Sequence, residues 1–148
     1  KLALTIPGLT IVTNSLPVSD LFNREGQQSQ TVILAGGIRT PTDSFVGDIT
    51  VSAFQTLNLE IVFMGAHGMD PKGGFTTPNL RESETNRAVI SKTRKLVVVA
   101  DQTKWGEVGF STFADLHEAD LLVTNSGLSR SATSELRASV KELAVVGT

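Results

Sequence analysis

The residues best suited to hold a small polar ligand stand behind short apolar runs. Thr13-Asn14-Ser15 follows one run, Gly36-Gly37-Ile38-Arg39 the next, Gly65-Ala66-His67-Gly68 a third and Asp101-Gln102-Thr103-Lys104 a fourth. Glycines let backbone N–H groups approach a ligand closely, and the free N–H groups at helix starts suit anions. Gly36-Gly37 and Gly73-Gly74 would serve in that way, although glycine pairs also make ordinary turns. Arg39 offers a two-pronged donor for a phosphate or carboxylate, or is a solvated surface arginine. Thr76-Thr77-Pro78 lies just before a helical pattern that starts near Arg81, so hydroxyls and free N–H groups would meet there; a plain Ser/Thr turn fits the same residues. Glu82 and Glu84 either face that site or only favour the positive end of the helix dipole. Asp101 and Lys104 either form a loop salt bridge or meet a substrate hydroxyl and phosphate. His67, flanked by Gly65 and Gly68 at a strand end, is placed for function, whereas His117 reads as a surface residue.

Those residues need elements to position them. Residues 9–13 and 31–35 read as buried strands, being β-branched and too short for helices. Pro17 sits where a helix begins, and Val18, Leu21 and Phe22 then fall on one face. A helix over 47–57, a strand over 60–65, a helix over 81–93 and strands over 96–100 and 121–124 follow. Ala132, Leu136 and Val140 give one apolar helix face, and 143–146 forms a last strand. Strands alternating with helices, with few tight hairpin turns, predict parallel β-α-β packing. The expected fold is one α/β domain over 1–148: a three-layer, mostly parallel, doubly wound sheet. Ligands of such sheets bind beyond the carboxyl ends of the strands, where the polar and glycine residues above converge.

Composition excludes several classes. The 148 residues carry 13 Lys and Arg against 15 Asp and Glu, and no run of basic residues exceeds two. A surface that grips nucleic-acid phosphates needs a basic face, so this segment alone is not expected to bind DNA. There are 0 cysteines, hence no disulfide and no thiolate metal site. His67 and His117 have no metal-ligand pattern around them, so neither a metal nor another cofactor is expected. No stretch approaches the ~20 apolar residues that cross a bilayer, and no signal segment is visible. A cytoplasmic protein without membrane contact is the expectation.

Six segments, taken in order, resemble the C-terminal domain of the DeoR family of sugar-pathway repressors. They are Val12-Thr13-Asn14-Ser15-Leu16-Pro17, Leu34-Ala35-Gly36-Gly37-Ile38-Arg39, Val46-Gly47, Phe63-Met64-Gly65-Ala66-His67-Gly68-Met69-Asp70, Gly74-Phe75-Thr76-Thr77-Pro78-Asn79-Leu80 and Ala100-Asp101-Gln102-Thr103-Lys104-Trp105-Gly106. The resemblance implies a fold like that of ribose-5-phosphate isomerase, binding of a phosphorylated sugar, and relay of that signal to a separate N-terminal winged helix-turn-helix. DNA would be a partner only through that other domain, and a homo-oligomer is expected. It also implies that Asn14, Gly37, Arg39, His67, Thr77, Glu82 and Lys104 lie at or near the ligand crevice. Gly36, Gly65, Gly68, Thr76 and Asp101 join them as ligand-binding candidates from their places at the strand ends and before the helix. The family's sensor begins with a strand and an Asp-Ser/Gly-Gly-Thr-Thr phosphate loop. Lys1-Leu2-Ala3-Leu4 resembles the tail of the helix after it, which implies an N-terminally truncated sensor.

Two other functions compete. A sugar-phosphate isomerase needs a base beside the carbonyl; Glu82 would be that base and Lys104 a phosphate holder. The related isomerases carry Asp-Gly-Ala-Asp-Glu at the third strand end, where this chain has Met64-Gly65-Ala66-His67-Gly68. Both aspartates are missing, so no catalytic residue is assigned. An oligomerisation scaffold without ligand is the third reading.

Overall fold

The computed structural model describes residues 2–147, which divide into two compact units, Lys1–Thr56 and Leu57–Thr148. The fold is mixed α/β, and its largest sheet is parallel.

In the first unit a single 3-10 turn, Leu2–Thr5, stands where the end of a longer helix was expected; Lys1 lies outside the described residues. Strand β1 (Thr10–Thr13) leads into helix α1 (Leu16–Glu25), with Pro17 in the first turn as its missing N–H permits. Leu21 and Phe22 are half-buried, but Val18 is exposed and Ser19 takes the buried place. Strand β2 (Thr31–Leu34) then pairs parallel with β1. A short hairpin follows, β3 (Ile38–Arg39) antiparallel to β4 (Phe45–Val46), which the reading of the sequence did not foresee. Helix α2 (Asp48–Gln55) starts after Gly47 and buries Thr50 and Phe54, while β-branched Ile49 faces outward.

The second unit is built on four parallel strands. They are β5 (Val62–Gly65), β8 (Leu96–Val99), β10 (Leu121–Asn125) and β11 (Leu143–Val146), in the order β11-β10-β8-β5. Helix α3 (Leu80–Ile90) begins at Asn79, whose side chain accepts from Arg81 N and Glu82 N at 3.0 and 3.3 Å. Helix α4 (Arg130–Ser139) is capped by Ser129 and buries Ala132 and Leu136, with Val140 just beyond, as the apolar spacing predicts. Met64, Val98 and Leu122 share one register and one buried face of the sheet. Burial on both faces, expected from the unbroken apolar runs, is met on that face. The other face leaves Phe63 67% and Val99 49% exposed.

Three further strands correct the expectation of few hairpins. Strands β6 (Gly68–Asp70), β7 (Gly74–Thr77) and β9 (Ser111–Ala114) form an antiparallel sheet, with a bulge between Phe75 and Thr76. Thr76 and Thr77 are therefore strand residues and not a turn before the helix. Buried Phe75 and Phe113 stack across it, their ring centroids 6.2 Å apart. Gly73-Gly74 closes the β6–β7 turn, where Asp70 accepts from Lys72 N and Gly73 N, both at 2.8 Å. These two N–H groups hold the Asp70 carboxyl below the usual carboxylate range. No helix among the described residues is long and apolar enough to cross a membrane.

Candidate functional site

In the first unit the predicted residues gather around the β3–β4 hairpin. Asn14 clamps β4 twice: its Nδ2 donates to Phe45 O, and its carbonyl accepts from Phe45 N, both at 2.8 Å. Gly36 O accepts from Thr50 Oγ1 at 2.8 Å. A Cβ on Gly37 would stand 2.1 Å from that same hydroxyl and 2.7 Å from Val46 O, so only glycine lets the backbone pass there. Arg39 is not a free surface cation. Its guanidinium pairs with Asp43 at 2.5 Å, both side chains being largely exposed.

In the second unit the predicted residues lie along the carboxyl end of the parallel sheet and the antiparallel sheet beside it. Gly65, Val99 and Val123 stand side by side in register. Asp101 and Asn125 each follow two residues on, so their loops emerge at one level. The chain after Asp101 forms a single 3-10 turn, Gln102–Lys104, and then runs against β6: Gly106 N donates to Met69 O at 2.9 Å. A Cβ on Gly68 would stand 2.1 Å from Glu107 O and 2.7 Å from Thr76 Oγ1. Gly68 is thus required for this close approach, which carries the Lys104 loop onto the antiparallel sheet.

Two predicted hydroxyls are already engaged. Thr76 is fully buried and accepts from Gly109 N at 2.8 Å. Thr77 Oγ1 donates to Glu82 Oε2 at 2.8 Å, tying the end of β7 to the first turn of α3. His67 is exposed and its backbone N–H donates to Thr76 O, extending the β6–β7 pairing. Asp101 does not make an ion pair with Lys104. Its carboxylate accepts from the hydroxyl and the N–H of Thr103, which hold its carboxyl below the usual range, with Lys104 adding a smaller push. Among the described residues no carboxylate stands within ion-pair distance of Lys104.

One participant was overlooked in the sequence. Asn125 Oδ1 accepts from Gln102 N at 2.8 Å, joining the loops after β8 and β10. The signal was the same as at the other strand ends, since Asn125-Ser126-Gly127 also puts polar and glycine residues behind an apolar run.

The model of the DeoR C-terminal sensor domain matches residues 3–126, across both units. The chain belongs to the DeoR sensor-domain family. It is 32% identical to the HTH-type transcriptional regulator GlpR of Haloferax volcanii, over 84% of this chain and 48% of that protein. It is 30% identical to the HTH-type transcriptional regulator GolR of Listeria innocua, over 82% and 48%. With the lactose phosphotransferase system repressor of Staphylococcus aureus the identity is 28%, over 78% and 46%. The chain spans about half the length of the curated relatives it matches. In this DeoR sensor domain Gly37 and Gly68 stand at points where a side chain has no room.

Proposed function

We propose that this sensor domain binds a phosphorylated sugar and is the ligand-responsive part of a cytoplasmic transcriptional repressor. DNA binding belongs to a separate winged helix-turn-helix; the slight acidity of this segment and its lack of any run of more than two basic residues support that assignment. Both units serve one sensor, which works as a homo-oligomer and is not an enzyme. Relatives named as transcriptional regulators and a lactose phosphotransferase system repressor support the assignment to a transcriptional regulator.

The observation that carries the phosphosugar reading is the position of Lys104. It follows the carboxyl end of a central parallel strand, the region where such sheets take their ligands, and it has no carboxylate partner among the described residues. An ammonium there suits a phosphate as a point charge. In the second unit Gly65, His67, Gly68, Thr76, Thr77, Glu82 and Asp101 are the candidates that accompany Lys104; Asn14, Gly36, Gly37 and Arg39 are candidates of the first unit, considered by itself. Of these, Asn14, Gly37, Gly68 and Thr76 act by shaping the loops, given the contacts they already make.

A thermal-shift screen of aldose and ketose phosphates, with free sugars and inorganic phosphate as controls, tests this. A ligand at ~100 times its dissociation constant adds about 2.7 kcal/mol. A clear shift with one sugar phosphate and none with its free sugar is expected. A flat screen across the panel would count against the reading.

A further inference from the structure

The loop before β9 and the start of α3, both in the second unit, put apolar side chains on one stretch of surface. Phe110 is 80% exposed and Leu80 50%, with exposed Pro78 between β7 and α3. Val108, two residues before Phe110, is 59% exposed. Close contacts tie these segments together. Gly109 packs on the Thr77–Pro78 peptide so tightly that a Cβ there would stand 2.8 Å from Thr77 C and 3.2 Å from Pro78 N. Its N–H donates to the buried Thr76 Oγ1 at 2.8 Å. On the other side of Phe110, the Ser111 hydroxyl meets that of Ser83 at 2.6 Å, and the Ser83 hydroxyl donates to Leu80 O at 2.9 Å. Phe110 is thus carried on backbone fixed at both its neighbours, while its ring stands in water.

Single apolar side chains on a surface are ordinary, but an aromatic ring this exposed, beside other apolar groups, has the form of an interaction anchor. The rigid backbone beneath it means that little freedom is lost when a partner covers it. Phe110 offers on the order of 150 Å² and the group roughly 300 Å², a fitting apolar centre for an interface of about 800 Å² per partner with a polar rim. The rim carries charges of opposite sign. Exposed Glu107 stands just before Val108 and exposed Arg81 just after Leu80, and neither forms an ion pair among the described residues. A surface bordered by one acid and one base complements itself about a two-fold axis, because each copy's Glu107 can then meet the other copy's Arg81. A net charge of -2 sets little repulsion between two copies.

We propose that this surface, centred on Phe110, is where two copies of the sensor domain pack together about a two-fold axis. The proposal rests on the homo-oligomeric reading and names the contact that makes the oligomer. It is independent of which ligand the sensor binds.

Sedimentation velocity of this chain over a wide range of concentration tests it, with thermal melts to check folding. The unaltered chain should form dimers. Phe110→Ser and Leu80→Ser both lie at exposed positions and should keep the melting temperature, and Phe110→Ser should weaken dimers at least about thirtyfold, the loss expected of an aromatic anchor. Phe63→Ser, at an exposed position on the parallel sheet, should leave them intact. Glu107→Arg and Arg81→Glu should each weaken association severalfold, and the two together in one chain should restore it. Dimers that persist in folded Phe110→Ser and Leu80→Ser would overturn this surface and leave the homo-oligomeric reading standing. A double charge variant that stays dissociated would overturn the two-fold arrangement. An unaltered chain that is monomeric at every concentration would overturn both the surface and the homo-oligomeric reading.

Discussion

Thr77 Oγ1 donates to Glu82 Oε2 at 2.8 Å, so the last residue of β7 is bonded to the first turn of α3. Thr77 is almost fully buried and Glu82 half-buried, and a hydrogen bond to a carboxylate in such a place is worth about 1.5–3 kcal/mol. Thr77→Val should therefore lower unfolding stability in urea by that order. Glu82→Gln keeps an acceptor oxygen and should cost less. Equal stability of Thr77→Val and the unaltered chain would show that this bond contributes nothing in solution.

The glycines divide into two groups that substitution should separate. Gly37→Ala and Gly68→Ala each force a Cβ within 2.1 Å of an oxygen, and each should destabilise by more than about 2 kcal/mol. Gly36→Ala and Gly65→Ala meet nothing within 4 Å and should stay within about 0.5 kcal/mol. Four thermal melts decide the matter. A mild Gly68→Ala would mean that the Glu107 loop moves aside more freely than its contacts suggest.

Arg39 and Lys104 should not be equivalent. Arg39 must release Asp43 before it grips another anion, whereas Lys104 has no carboxylate to release among the described residues. Lys104→Ala should cost a phosphosugar about 1.5–3 kcal/mol, or roughly ten- to a hundredfold in affinity. Arg39→Ala should cost less. Asp43→Asn, which tolerates the left-handed backbone at φ 59, should strengthen binding if Arg39 takes part. Stability should change little in either variant, since an exposed pair contributes at most about 1 kcal/mol. Titration calorimetry on the three variants reads each effect directly.

Acid should weaken the second unit through Asp120. Its carboxylate accepts from Lys141 Nζ and from the buried Leu96 N, each at 2.7 Å, and these bonds hold its carboxyl below the usual range. A depressed folded-state value means stabilisation that is complete above about pH 4 and fades as pH falls through that lower value. Asp120→Asn keeps an oxygen for Leu96 N but cannot ionise. Its urea midpoint should be lower than that of the unaltered chain at neutral pH, and the gap should narrow in acid. A gap that stays constant from neutral pH into acid would assign the effect to lost packing instead of lost charge.

Much of this protein was legible one residue at a time. Leu96-Val97-Val98-Val99 can hardly be other than a strand, because a short apolar run with three successive β-branched valines suits a covered sheet and crowds a helix. Ala132, Leu136 and Val140 announce the buried face of α4 by spacing alone. Pro17 marks the start of α1 through its missing donor. These are local effects of backbone and side-chain shape, so neighbouring residues suffice to reveal them. The ordered glycine and polar words at the strand ends likewise sufficed to suggest the family.

The antiparallel strands and the division of labour among site residues were decided by tertiary structure. Gly68-Met69-Asp70 and Gly74-Phe75-Thr76-Thr77 lack a clear apolar alternation, and they become strands only because β6, β7 and β9 satisfy one another's backbone groups. Composition could not tell that Arg39 would find Asp43, that Asp101 would turn to Thr103, or that Lys104 would be left without a carboxylate among the described residues. Nor could it tell that the amide oxygen of Gln102 would be enclosed with nothing to bond. Such outcomes depend on which loops meet at the end of the sheet, and that is set by strand order and register. Residue type determines what a side chain can do; only the packing of distant segments decides what it has left to do.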